Sequence, residues 1–341
     1  MRDIAHHLGL DQSTVSLALH NHARISPATR EKVHRAAAEL GYQPDPLLGA
    51  LAAYRQAQRP ADITAELAWI NRWPSPERFH GFREFDGYWR GASVAAREAG
   101  YRLEAFNLGE GSLSRLEGIL RARNITGLVI PPHPNGPGND WSGMDFTRYS
   151  VIRIGHSVRL SAHAVGCDQT DAAILGYRRI HERGYRRIGF VTHPGAESSS
   201  RFRAGFLFAQ ENTSGLARLP TLLIQEEDVA ADRDALDRWM SDHRPDAIFT
   251  TSARVRGMLA ELGLRVPDDI ALAATSVLDG NADAGIGQSP EEIGRSAIDM
   301  LGILLMHGRR GLPAIPRMTM VRAHWVDGVS LPARAALAST V

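Results

Sequence analysis

From about residue 63 onward, short apolar runs alternate with longer amphipathic stretches, and this alternation restricts the possible fold more than any other feature. Leu67–Asn71, Ile125–Ile130, Val151–Ile154, Ile188–Thr192, Leu222–Gln225, Ala247–Thr250 and Ile270–Ala274 have strand length and strand composition. Between them, 86–99, 112–123, 170–183, 200–211, 231–242, 254–262 and 291–307 carry apolar residues at helical spacing. Three of these helices are expected to stop on one device: Gly100-Tyr101, Gly184-Tyr185 and Gly263-Leu264. In each, glycine takes the left-handed cap and the next apolar residue packs back. Strands joined through helices lie parallel, and a parallel sheet has to be covered on both faces. About 280 residues are too many for one such sheet, so the expectation is two doubly wound lobes with a cleft between them.

Residues 1–43 break that pattern and read as three short helices. Ile4, Ala5 and Leu8 share one face of a helix that ends at Gly9. Asp11 is placed to cap the second helix, whose inward stripe is Val15, Ala18 and Leu19. Ser26-Pro27 supplies a cap followed by proline at the first helical position. Val33, Ala36, Ala37 and Leu40 then face inward before Gly41 stops the third helix. So small a core does not justify itself; a module of this kind exists for what its outer face binds. Helix, tight turn and a second helix opening with amide and hydroxyl side chains is the helix-turn-helix arrangement. An ordinary helical hairpin is the plain alternative. Asp45-Pro46 restarts a helical signal through Tyr54, and Gln56 to Asp62 reads as a linker.

Several function classes are disfavoured. Cys167 is the only cysteine, so no disulfide forms within the chain and a thiolate metal site is not expected. No run of eighteen apolar residues occurs, and the first residues lack the apolar core of a signal peptide, so a cytoplasmic location is expected. Gly109-Glu110-Gly111 lacks the third glycine of a dinucleotide loop. Neither a nucleophile elbow nor a P-loop is present. His6, His7, His20 and His22 have no acidic or cysteine partners at metal-site spacing. No catalytic constellation, cofactor or metal is therefore expected. The net charge of +1 does not advertise nucleic acid, and residues 1–59 hold seven Lys/Arg against five Asp/Glu. Any DNA-binding claim has to rest on pattern.

That pattern is specific. Asp3-Ile4-Ala5, Ser13-Thr14-Val15-Ser16, Ala18-Leu19, Arg24-Ile25-Ser26, Thr29-Arg30-Glu31-Lys32-Val33 and Glu39-Leu40-Gly41-Tyr42 closely resemble the head of the LacI/GalR family of bacterial repressors. Ala95-Ala96-Arg97-Glu98-Ala99-Gly100-Tyr101, Arg183-Gly184-Tyr185-Arg186-Arg187-Ile188-Gly189-Phe190 and Gly263 to Ile270 extend the resemblance through the core. The resemblance implies a multidomain chain: an all-α helix-turn-helix head (1–44), a hinge helix and linker (45–62) and an α/β core (63–341). The core would resemble periplasmic binding proteins, with an N-lobe of about 63–164 and 288–318 and a C-lobe of about 165–287 and 319–341. Crossings between lobes are expected near 163–167, 285–290 and 318–322.

The resemblance also implies roles. Gln12, Ser13 and Leu17 occupy base-reading positions, and Thr14, Ser16, Asn21, Arg24, Ser26 and Thr29 phosphate positions. Leu51 is the leucine that wedges into the minor groove. The implied partners are double-stranded operator DNA, a second copy of the chain and a small-molecule effector, with no membrane. Leu17 stands where the family usually has arginine, exchanging a guanine contact for one that suits a thymine methyl. Gln12 thereby becomes the principal candidate base reader. The family's effector positions are altered too. Gly155, Phe202 and Ala253 replace an acid, an arginine and an aspartate, and an aspartate expected near Ser276 is absent. Asp86, His156, Arg201, Arg203, Asp279 and Gln288 remain the polar candidates near the cleft. The expected function is an effector-controlled, dimeric, DNA-binding regulator, read as a repressor. A soluble solute-binding protein and a regulator with a decayed effector site stay open.

Gly49 within the short helix 46–54 costs about 0.5–1 kcal/mol relative to alanine, and a helix of that length is marginal alone. Amide exchange across 46–54 is therefore predicted to slow on operator binding; equal protection with and without operator removes the idea.

Overall fold

The computed structural model describes residues 1–19, 25–40, 65–109, 111–133, 139–194, 197–225 and 228–334. The expected hinge helix, with Leu51, and the head residues Asn21 and Arg24 lie outside them. Among its described residues the head forms three helices: α1 (Arg2–Leu8), α2 (Gln12–Leu19) and α3 (Pro27–Glu39). They close over Ile4, Ala5, Val15, Ala18, Val33, Ala36 and Ala37, with Leu8 and Leu19 partly buried against them. Leu40, expected inward, is 46% exposed because it caps the end of α3 instead of continuing its inner face.

Among the described residues the core contains two six-stranded sheets. The first is built from β1 (Ala65–Asn71), β2 (Tyr101–Asn107), β3 (Gly127–Ile130), β4 (Ser150–Ile154), β5 (His163–Cys167) and β11 (Met318–Val321). Its order is β11-β5-β4-β3-β1-β2, with every neighbour parallel. The second holds β6 (Ile188–Thr192), β7 (Leu222–Leu223), β8 (Ala247–Thr250), β9 (Ala271–Ala274), β10 (Gly285–Gly287) and β12 (His324–Val326). Its order is β12-β10-β9-β8-β6-β7, and only the β10–β12 pair is antiparallel.

The strands obey the period of two that double coverage demands. Leu67 and Trp69 of β1 join one hydrophobic cluster, whereas Ala68 and Ile70 join another on the opposite face. In the second sheet, Phe190 and Phe249 face one way and Val191 and Ile248 the other. The covering helices of the first sheet include α5 (Arg83–Glu98), α6 (Leu113–Ala122) and α11 (Pro290–Met306), and α4 (Pro76–His80) precedes α5. Those of the second include α7 (Gln169–Glu182), α8 (Glu197–Glu211), α9 (Val229–His243) and α10 (Val255–Glu261). Gly100, Gly184 and Gly263 have φ of 80°, 94° and 77°, so the shared helix stop forms as the sequence indicates.

Two expected passages between lobes are themselves strands. Residues 163–167 form β5, laddered to both β4 and β11, so the chain leaves the first sheet only at Asp168. Residues 318–321 form β11, also in the first sheet, and the final crossing follows it. Both segments are short and one carries His163 and Gly166, so neither stands out as an apolar run. Strand β2 escaped notice because it is an edge strand on which Arg102 and Glu104 alternate with apolar residues.

Helices α5 and α11 approach closely enough to exclude a side chain. A Cβ at Gly91 would lie 1.9 Å from Glu291 O, and one at Gly294 would lie 2.1 Å from Tyr88 O. Gly302, in the same helix as Gly294, has nothing within 4 Å of a built Cβ. Gly294→Ala is expected to destabilise the core by about 1–3 kcal/mol, whereas Gly302→Ala stabilises it by up to about 1 kcal/mol. Chemical unfolding monitored by circular dichroism checks both; equal effects of the two substitutions would show that backbone approach is not the cause.

Candidate functional site

The head presents one polar face. Gly9 ends α1 in the left-handed conformation, φ 62° and ψ 33°, and Leu10 N then bonds to Ala5 O at 2.9 Å. This tight stop sets α2 at an angle to α1 with Val15 and Ala18 inward. Positions 12, 13, 16 and 17 consequently share the outer side of α2. Gln12 and Ser13 are exposed at its first turn, and Thr14, Ser16 and Leu17 are half-buried. A helix N-terminus with unsatisfied N–H groups and short polar side chains suits contact with phosphates and base edges. Ser26 caps α3, accepting from Thr29 N at 3.2 Å, and its hydroxyl lies 2.8 Å from that of Thr29. These two hydroxyls thus anchor the third helix as well as facing solvent.

In the core, ligands of open α/β sheets bind beyond the carboxyl ends of the strands. Here those ends meet in two distinct constellations. The first is a joint between the sheets. Asp279, in the loop after β9, accepts from Arg83 N at 2.8 Å and Glu84 N at 3.1 Å. It therefore caps α5, whose own N-cap residue Phe82 has no capping side chain. Ser276 Oγ donates to Glu84 Oε1 at 2.7 Å. Glu84 is 5% exposed, and its other carboxyl oxygen has no hydrogen-bond partner among the described residues. Burial pushes its pKa up to about 7; the carboxylates of Asp279 and Glu291 add to the rise and Ser276 opposes it. Gln288 is buried behind this joint, donating to Thr275 O at 3.0 Å.

The second constellation lies between the loop after β4 and the first turn of α8. A cavity of about 520 Å³ there brings His156 and Arg201 together with Arg153, Arg159 and Glu197. Arg201 donates to Glu197 Oε1 at 2.8 Å, and His156 Nδ1 lies 4.0 Å from the same oxygen. The His156 side chain is only 6% exposed. Burial, with Arg201 second, depresses its pKa to about 4, so the ring is neutral near pH 7. Burial likewise lowers the pKa of Arg153, with the Arg201 charge adding to the fall and Glu197 opposing it.

The six candidates from the sequence thus divide. His156 and Arg201 share the cavity, and Asp279 and Gln288 belong to the joint. Asp86 pairs with Arg90 at 2.9 Å, which also reaches Glu291 at 2.7 Å. Arg203 is exposed elsewhere on α8. Phe202, where the family has arginine, is 4% exposed and packs in the main core cluster. Sequence reasoning missed Glu84, Arg153 and Glu197. Glu84 meets partners more than 190 positions away, and Arg153 hides within a strand.

Comparison with known proteins settles the class. A sequence model of the bacterial regulatory proteins of the lacI family matches residues 1–45. The head is a LacI-family helix-turn-helix domain. A periplasmic binding protein-like domain model matches residues 177–331. The chain is 26% identical over 319 residues to the HTH-type transcriptional regulator PtxS of Pseudomonas aeruginosa, covering 88% of this chain and 87% of that one. The CelR–cellobiose complex shares its fold with a TM-score of 0.60 at 21% identity, over 96% of this chain and 98% of the other. The lac repressor dimer bound to operator and an anti-inducer does so at 0.57 and 17%, over 97% and 98%. The chain therefore combines a LacI-family helix-turn-helix head with a two-sheet, periplasmic binding protein-like core, and its relatives are transcriptional regulators. Among the described residues, no helix is long and apolar enough to cross a membrane.

Because the folded pKa of Glu84 is raised from 4.5 to about 7, its contribution to stability is fully present below pH 4.5. It is lost as the pH rises through 7. Glu84→Gln keeps an acceptor for Ser276 without the charge. Wild type and variant are expected to melt alike near pH 4.5, with the variant several degrees higher at pH 8. Differential scanning calorimetry across that range checks this, and a constant offset would refute the titration.

Proposed function

We propose that this LacI-family regulator acts as a homodimeric repressor, without enzymatic activity, that reads a near-palindromic operator and is controlled by a small molecule between its two sheets. The observation that carries the reading is the exposure of Gln12 and Ser13 at the first turn of α2, on a head matched by the lacI family model. Gln12 reads adenine by a bidentate contact in the major groove, and Ser13 and Leu17 flank it. Thr14, Ser16, Asn21, Arg24, Ser26 and Thr29 hold phosphates and fix register. Leu51 enters the minor groove at the centre of the site. The lac repressor of similar fold is a dimer on its operator, and two heads here reach half-sites about one helical turn apart.

Control follows from differential binding. An effector that prefers one arrangement of the two sheets shifts the spacing of the heads, with a coupling of typically 1–3 kcal/mol. CelR of similar fold is a complex with cellobiose, and carbohydrate-related molecules are the effector class to test. Asp279 and Gln288 belong to the joint that such an effector biases; Asp86 and Arg203 stand outside it.

Selection from random oligonucleotides, followed by gel retardation, tests the proposal. Gln12→Ala is expected to weaken the selected site about 10- to 100-fold and relax preference at one base pair. Leu51→Ala is expected to weaken it while leaving base preference intact. A strictly monomeric chain with no sequence preference overturns the reading.

A further inference from the structure

We propose that the 520 Å³ cavity is an anion site, and that the effector carries a carboxylate or phosphate held between Arg153 and Arg201. This assignment rests on the regulator reading above and narrows the chemical class of its effector.

The walls are unbalanced in charge. Arg153, Arg159 and Arg201 face one carboxylate, Glu197, and His156 is neutral beside them. The unbalanced groups are also incompletely bonded. Arg153 donates to the carbonyl of Gly155, two positions away on its own chain segment, and its buried Nε has no partner among the described residues. Arg201 spends one amino group on Glu197, and its buried Nε likewise has no partner there. Buried donors and unpaired guanidinium charge are costly, and the cost is relieved by an acceptor that is itself charged. Guanidinium forks present paired N–H groups that match the oxygen spacing of carboxylate and phosphate. His156 is then placed to bond a hydroxyl on the same ligand, with Met318 and Met320 as an adaptable apolar wall. The volume suits a small ligand.

The position gives the anion a regulatory consequence. Arg153 stands on β4 of the first sheet and Arg201 on α8 against the second. Burial is the main cause of the lowered pKa of Arg153; Glu197 opposes the fall and the Arg201 charge across the gap adds a smaller share to it. An anion between the two arginines adds an attraction to each guanidinium and favours the arrangement in which the sheets are close. A larger cavity of about 810 Å³ adjoins this one through Arg159, Leu160 and Ser161. Its polar groups Asn139 and Asp140 are already engaged, by Ser157 O with Arg159 N and by Ser142 N respectively. The unpartnered donor there among the described residues is the neutral indole N–H of Trp141, and no guanidinium group lines it apart from the shared Arg159.

Calorimetric titration of the full-length protein at fixed ionic strength with D-glucose, D-gluconate, D-glucose 6-phosphate and inorganic phosphate tests this. At least one of the three anions is expected to bind tenfold or more tighter than glucose, and the pattern among them separates carboxylate from phosphate. Arg153→Gln and Arg201→Gln each lower that affinity about tenfold or more. Glu197→Gln raises it, a gain that misfolding cannot produce. Failure of every anion to bind, parity with glucose, or indifference to Arg201→Gln and Glu197→Gln overturns the proposal. The same preparations are assayed on the selected operator. Operator binding without anion preference removes this inference and leaves the regulator reading intact, and anion binding without operator recognition does the reverse.

Discussion

Helix α11 leaves the second sheet, crosses, and closes one face of the first, where it seats against α5 with glycine on both sides of the contact. Neither sheet is built from one stretch of chain: the covering helix α11 and the edge strand β11 of the first arrive only after β10 of the second, and β12 of the second only after β11. The aromatic and aliphatic cluster reflects this interleaving, since it runs from Trp69 and Ile152 of one sheet to Phe190 and Phe249 of the other. The structural halves of this protein are therefore not contiguous stretches of chain: each sheet draws strands from both sides of the other.

Much of this was legible in the residues. Strands buried on both faces appear as unbroken apolar runs, and the helix stops at Gly100, Gly184 and Gly263 appear as glycine followed by an apolar residue. The head was legible for a different reason: its contacts are local, so the spacing of Val15, Ala18, Val33, Ala36 and Ala37 states the packing directly. What escaped were elements whose stability comes from neighbours. Strand β2 is half exposed, and β10 and β12 are only three residues each, so each is a strand because a partner makes it one.

The same distinction separates the two functional regions. The polar face of α2 follows from positions 12, 13, 16 and 17 within two turns of helix. The joint of Glu84, Ser276 and Asp279 follows from nothing local, because its groups meet only once both sheets have formed. Arg153 reads in sequence as a charged interruption of a strand; only the fold shows that it looks towards Arg201 from the other side of a gap. Family resemblance pointed to positions around the expected cleft, yet with Gly155, Phe202 and Ala253 at the family's polar positions the chemistry had to be read from the surrounding side chains.

The three connections between the sheets are all very short. They consist of Asp168, then Gln288-Ser289, then Arg322-Ala323. Two residues of backbone reach at most about 10 Å from the end of one element to the start of the next, so at these points the halves are leashed and cannot slide apart. Whatever motion remains is a swing about those points, with displacement growing towards the far side. A small change in angle at the leash is thus geared up with distance, and elements far from it travel furthest.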